Sequence, residues 1–109
     1  MTPITDTERL GWQFRALALL SELVDRAIAE HLPPLQWSIG TTGELRGQVG
    51  GYGDRREAFT RWRDAIGNPD REWEVFEGKR LRAAWDRLEH VEFILAADLP
   101  DDDDGLGAP

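Results

Sequence analysis

A long apolar repeat over residues 6–31 constrains this chain more than any other feature. Leu10, Phe14, Leu17, Leu20, Val24, Ala27 and Ile28 recur at intervals of three or four, the period of one helix face. A helix of about 25 residues is ~37 Å long at 1.5 Å per residue, so its stripe demands an extended apolar surface to cover it. Thr5-Asp6-Thr7-Glu8 has the capping-box pattern that starts such a helix, with Thr5 as N-cap. Pro33-Pro34 ends it, because proline disfavours helical geometry in the preceding residue. Trp12, Leu19 and Leu23 form a second apolar row beside the first. The combined stripe is wider than one sheet face needs. Either the helix is deeply buried, or the second row packs on another chain. Arg15, Glu22, Asp25 and Arg26 within the segment exclude a membrane span.

The rest of the chain supplies elements suited to covering that helix. Residues 35–51 read as a β-hairpin: Leu35, Trp37 and Ile39 alternate with Gln36 and Ser38, and Leu45 and Val49 do so on the return strand. Thr41-Thr42-Gly43 is the turn, and Gly47 leaves a gap where an aromatic ring or the helix backbone approaches. Residues 54–66 read as a second helix, with Asp54 as N-cap, a buried face of Ala58, Phe59, Trp62, Ala65 and Ile66, and Gly67 in a left-handed C′ position. Residues 72–77, with Trp73 and Val75 between acids, read as a strand. Residues 79–99 fit two patterns. As a helix, Leu81, Ala84, Trp85, Leu88, Val91 and Leu95 share a face; as strands, Leu81, Ala83 and Trp85 alternate, then Val91, Phe93, Leu95, Ala97 and Leu99. Propensity favours the helix, and no glycine or proline near Arg87 marks a turn.

Three stretches tip the choice to strands. Leu35-Gln36-Trp37-Ser38-Ile39, then Ala58-Phe59-Thr60-Arg61-Trp62 leading to Ala65-Ile66-Gly67, and Val91-Glu92-Phe93 resemble small uncharacterised actinobacterial proteins, many carried by phages or integrating plasmids. The resemblance spans roughly residues 10–99 and rests on pattern, not on a catalytic motif. It implies a helix, a hairpin, a second helix and two or three closing strands, and no known activity. The chain departs from that pattern at Asp86-Arg87-Leu88-Glu89, where a glycine-containing turn is expected. The expected fold is α+β: a long N-terminal helix and a shorter second helix on one face of a mostly antiparallel sheet of four or five strands.

At 109 residues the chain is expected to form one domain, over 1–100, burying roughly two-thirds of its unfolded surface. The absence of cysteine excludes disulfides, thiolate catalysis and Cys-based zinc sites, and fits a reducing cytoplasm, the expected compartment. No secretory signal pattern is visible at the start. Asp101 to Asp104 supply half of the net charge of −8, in a tail (101–109) expected to be disordered and solubilising. This balance speaks against nonspecific nucleic-acid binding, which relies on a basic surface.

No pattern here specifies chemistry. Gly50-Gly51-Tyr52-Gly53 before a helix has the look of a phosphate cradle, but it lacks the Lys-Ser/Thr of a P-loop, and Asp54 sits where the anion would. His31 and His90 have no partner at metal-ligand spacing, although His90 is within reach of Asp98 in some arrangements. Ser21 and Ser38 lie within a helix and a strand, not on a sharp turn. Arg55, Arg56, Arg61 and Arg63 give the second helix a basic surface, interrupted by Glu57 and Asp64. The expectation is therefore a non-catalytic protein–protein interaction module, without cofactor or metal, serving as an accessory or regulatory protein of an actinobacterial phage or mobile element. Trp12, Leu19, Leu23, Arg55, Arg56, Arg61 and Arg63 form the candidate interaction surface. A protein partner, including a second copy of the chain, is expected, and a membrane or nucleic acid is not. Two rivals remain: an acidic inhibitor filling a nucleic-acid-binding groove of its partner, and a small enzyme with a pocket between helix and sheet.

Overall fold

The computed structural model describes residues 3–50 and 53–100. In chain order these form α1 (Asp6–Glu30), β1 (Leu35–Ile39), β2 (Leu45–Val49), α2 (Arg55–Ile66), β3 (Arg71–Val75), β4 (Arg80–Leu88) and β5 (Val91–Asp98). The strands make one five-stranded sheet in the order β1-β2-β5-β4-β3. All neighbours are antiparallel except β2 and β5, which run parallel in the middle. Both helices lie on one face, as expected for this α+β architecture, with α1 over β1, β2 and β5 and α2 over β2, β5 and β4. The acidic segment 101–109 lies outside the described residues.

Local chemistry sets the helix ends. Thr5 Oγ1 accepts from the Glu8 amide at 3.1 Å, and the Glu8 carboxylate accepts from the Thr5 amide at 3.1 Å. Two amides that no helical carbonyl can reach are thereby satisfied. His31 closes α1 in the left-handed conformation (φ 56°, ψ 42°). At α2, Asp54 caps the Glu57 amide at 3.1 Å. Gly67 closes that helix at φ 102° and ψ 177°, a positive but extended conformation and not the left-handed helical one expected.

Residues 79–99 form two strands, and their connection explains why the pattern is ambiguous. A register irregularity between Trp85 and Leu88 spoils the simple alternation. The turn falls one step later, at Glu89 and His90, both with positive φ (51° and 68°). Consecutive left-handed residues are the signature of the tight hairpin turn that matches strand twist, normally made by Asn-Gly. Here two residues without that preference make it.

The core sits between the helices and the sheet. Leu45 and Val49 of β2, Val91, Phe93, Leu95 and Ala97 of β5, and Leu81, Ala83 and Trp85 of β4 meet Phe59 and Trp62 of α2 and the inner side of α1. Phe93 stacks on Trp85 with centroids 5.5 Å apart, and Trp37 meets Trp62 edge-on at 5.7 Å. The buried indoles keep their polar ends satisfied: Trp62 Nε1 donates to the Pro33 carbonyl and Trp85 Nε1 to that of Gly67, each at 2.7 Å. Gly47 lies under Leu35, Trp37 and Phe93, where a Cβ would come within 2.8 Å of Leu35 Cδ1. The gap expected at this position is thus filled partly by aromatic rings.

Among the described residues no helix covers the other sheet face, an arrangement that antiparallel sheets tolerate. Register sets Gln48, Ala96, Arg82 and Trp73 in one row across it. Ala84 and Ala96 are buried among their longer neighbours. Ion pairs lace the surface: Arg82 with Asp98 at 3.0 Å, and Arg71 with Asp86 and Glu92 at 2.9 and 3.8 Å.

Candidate interaction surface

Helix α1 carries two apolar rows, and the structure turns them opposite to the expected way. Leu19 and Leu23, expected to face a partner, are buried on the sheet together with Ala16. Trp12 is half-buried against the β1–β2 turn. Leu20 and Ala27 from the expected inner row do pack on the core. The remainder of that row points outward: Leu10 is 64% exposed, Phe14 71%, Leu17 53%, Val24 38% and Ile28 70%.

Close approach decides this orientation. Ala16 has no side chain beyond Cβ and is fully buried, so the helix axis can come near the sheet at that point. Gln13 Nε2 donates to the Gly40 carbonyl at 3.2 Å, tying the same face to the end of β1. A Cβ at Gly43 would lie 2.5 Å from Trp12 Cβ, so the hairpin turn lies directly on the helix. At the far end, Arg26 Nη1 donates to the Ala65 carbonyl at 2.8 Å. Periodicity alone cannot choose between two rows of equal period. The outward row, Leu10, Phe14, Leu17, Ser21, Val24 and Ile28, and the inward one, Trp12, Ala16, Leu19 and Leu23, share the same alternation of four and three.

The arginines of α2 serve the fold. Arg55 donates to the Asp98 carbonyl at 2.9 Å, Arg56 to that of Gly78 at 3.0 Å and Arg61 to that of His31 at 2.6 Å. Arg63 reaches Glu72 at 2.8 Å and Asp64 at 3.1 Å. The Glu72 hydrogen bond raises the Arg63 pKa, partial burial opposes this, and Asp64 adds to the rise. The four side chains therefore fasten α2 to the end of β5, the β3–β4 turn, the C-terminus of α1 and β3. They do not form a joint surface with Trp12, Leu19 and Leu23.

The remaining candidates are dispersed. His90 lies in the exposed β4–β5 turn, while Asp98 ends β5 beside Arg82, so the two are not paired. Among the described residues no group of three or more His, Asp or Glu side chains is placed to hold a metal ion. An open groove of about 490 Å³ runs beside Pro33, Pro34 and Gln36 to the start of α2 and contains Asp54 and Arg61. Both are committed, Asp54 to its cap and Arg61 to the His31 carbonyl. Gly51 and Tyr52 of the glycine-rich loop lie outside the described residues. No helix of the described chain is long and apolar enough to cross a membrane.

Comparisons with protein-family models, with curated proteins and with solved structures give no match.

Proposed function

We propose that this chain is a non-catalytic protein–protein interaction module that acts through the outward row of α1. The carrying observation is the exposure of Leu10, Phe14, Leu17, Val24 and Ile28 on one helix face. At about 150–200 Å² for each fully exposed large apolar side chain, they present about 500 Å² of apolar surface, in the upper range of the largest patch on a monomer, which is often functional. An acidic inhibitor needs a row of unpaired carboxylates. Asp64, Glu72, Asp86, Glu92 and Asp98 each lie within ion-pair distance of an arginine. An accessory role in a phage or mobile element rests on the sequence resemblance alone.

The test is capture from a nuclease-treated actinobacterial lysate, comparing the tagged wild-type chain with a Phe14→Glu/Leu17→Glu variant. A stoichiometric protein, whether another species or an untagged copy of this chain, is expected with the wild type and not with the variant. Recovery only without nuclease, or capture indifferent to the substitutions, overturns the reading.

A further inference from the structure

The outward row of α1 is more ordered than a patch. Leu10, Phe14, Leu17, Ser21, Val24 and Ile28, all exposed, are separated by four, three, four, three and four residues. This is the a/d spacing of a coiled-coil seam, in which each side chain enters a hole on a facing helix. Building on the interaction-module reading, we propose that the row is the seam of an antiparallel two-fold homodimer, α1 of one chain against α1 of a second copy.

Side-chain size gives the first argument. The large residues Leu10, Phe14 and Leu17 occupy the N-terminal half of the row, and Ser21, Val24 and Ile28 the C-terminal half. A two-fold axis passing between positions 17 and 21 sets Leu10 against Ile28, Phe14 against Val24 and Leu17 against Ser21 of the second copy. The two inner layers each join a larger side chain to a smaller one, and the outer layer joins equals. A parallel pair instead places Phe14 on Phe14 and Ser21 on Ser21. That crowds one layer and leaves a void in another, and both faults destabilise a packed interface.

Charge gives the second. The first turn of α1 carries Asp6 and Glu8. A parallel pair would bring two such turns together, whereas an antiparallel pair separates them by the length of the helix and opposes the two macrodipoles. Asp25, which flanks the row on the side of Gly11, then lies beside Gly11 of the second copy and meets no carboxylate. Gly11 and Ala18, small and exposed, leave that flank open to close approach.

Area gives the third. About 500 Å² from each copy makes about 1,000 Å² in all, the threshold for a specific interface. Sedimentation equilibrium of the purified chain tests the assembly, and engineered cysteines test its orientation, since the sequence contains none. The expected mass is twice 12.4 kDa, reverting to one chain for Leu17→Glu with the circular dichroism spectrum unchanged. An oxidised mixture of Leu10→Cys and Ile28→Cys chains is expected to cross-link, with neither variant doing so alone. A monomer at every concentration, a dimer indifferent to Leu17→Glu, or self-linking of Leu10→Cys overturns the proposal. If the chain is monomeric yet captures a different protein through Phe14 and Leu17, the dimer fails and the module reading stands. If neither occurs, both fail.

Discussion

Two glycines with nearly the same φ allow the docking of α1 on the hairpin to be weighed separately from turn strain. Gly43 and Gly78 have φ values of 85° and 83°. A side chain in the left-handed region costs about 1–2 kcal/mol, offset by about 0.4–1 kcal/mol because alanine also restricts the unfolded chain. Gly78→Ala should therefore cost about 1 kcal/mol. Its added Cβ meets the tip of Glu74, 3.0 Å away on an exposed side chain that can swing aside, and Arg56 Nη2 in ordinary contact at 3.5 Å. The same atom at Gly43 would lie 2.5 Å from Trp12 Cβ and 2.9 Å from the Trp12 carbonyl group, which a helix holds in place. Carbon atoms settle about 3.5–4.0 Å apart, so the turn or the helix must shift by about 1 Å, and overpacking of that kind costs about 1–3 kcal/mol. Gly43→Ala should then cost about 2–4 kcal/mol. Urea denaturation followed by far-ultraviolet circular dichroism measures both, with comparable m-values as the check that only the folded state was perturbed. Equal midpoints for the two variants would refute the claim that the turn is seated on α1.

Two further outcomes follow from the core and the last hairpin. Trp62→Phe removes a fully buried donor to the Pro33 carbonyl and part of a buried ring. It should lower stability by about 2–3 kcal/mol in the same assay, and a loss below about 0.5 kcal/mol would mean that this hydrogen bond is not a stabilising one. Replacing Glu89→Asn and His90→Gly together gives the β4–β5 turn residues suited to its positive φ values. The pair should raise stability by about 1 kcal/mol, and a lowered melting temperature would contradict the assigned turn.

What the sequence made legible is what neighbouring residues decide among themselves. The Thr5–Glu8 box, the Asp54 cap and the alternation of Leu35, Trp37 and Ile39 depend on contacts a few residues long. Propensity and pattern disagreed over residues 79–99 because the true turn uses Glu89 and His90, which carry no turn preference, and because the irregularity between Trp85 and Leu88 blurs the alternation. The face of α1 is hidden from the sequence for another reason. Both rows have the right period, and the choice between them is made by Ala16, Gln13 and Gly43, through contacts across 27 or more positions of sequence. Arg55, Arg56 and Arg61 of α2 were legible as charges but not as fasteners, since their acceptors are carbonyls that only the folded chain brings near.

The position of β5 has a consequence for how the molecule comes into being. Of the described strands it is the last to be synthesised, yet it occupies the centre of the sheet. Until Val91–Asp98 emerges, the β1–β2 hairpin and the β3–β4 pair have no strand to join them, and β2 and β4 each present an open edge. Leu19, Leu23, Phe59 and Trp62 then lack the surface that Phe93 and Leu95 provide. Folding of this sheet accordingly waits for β5, and a nascent chain stalled before Val91 exposes the edges and apolar faces that molecular chaperones bind.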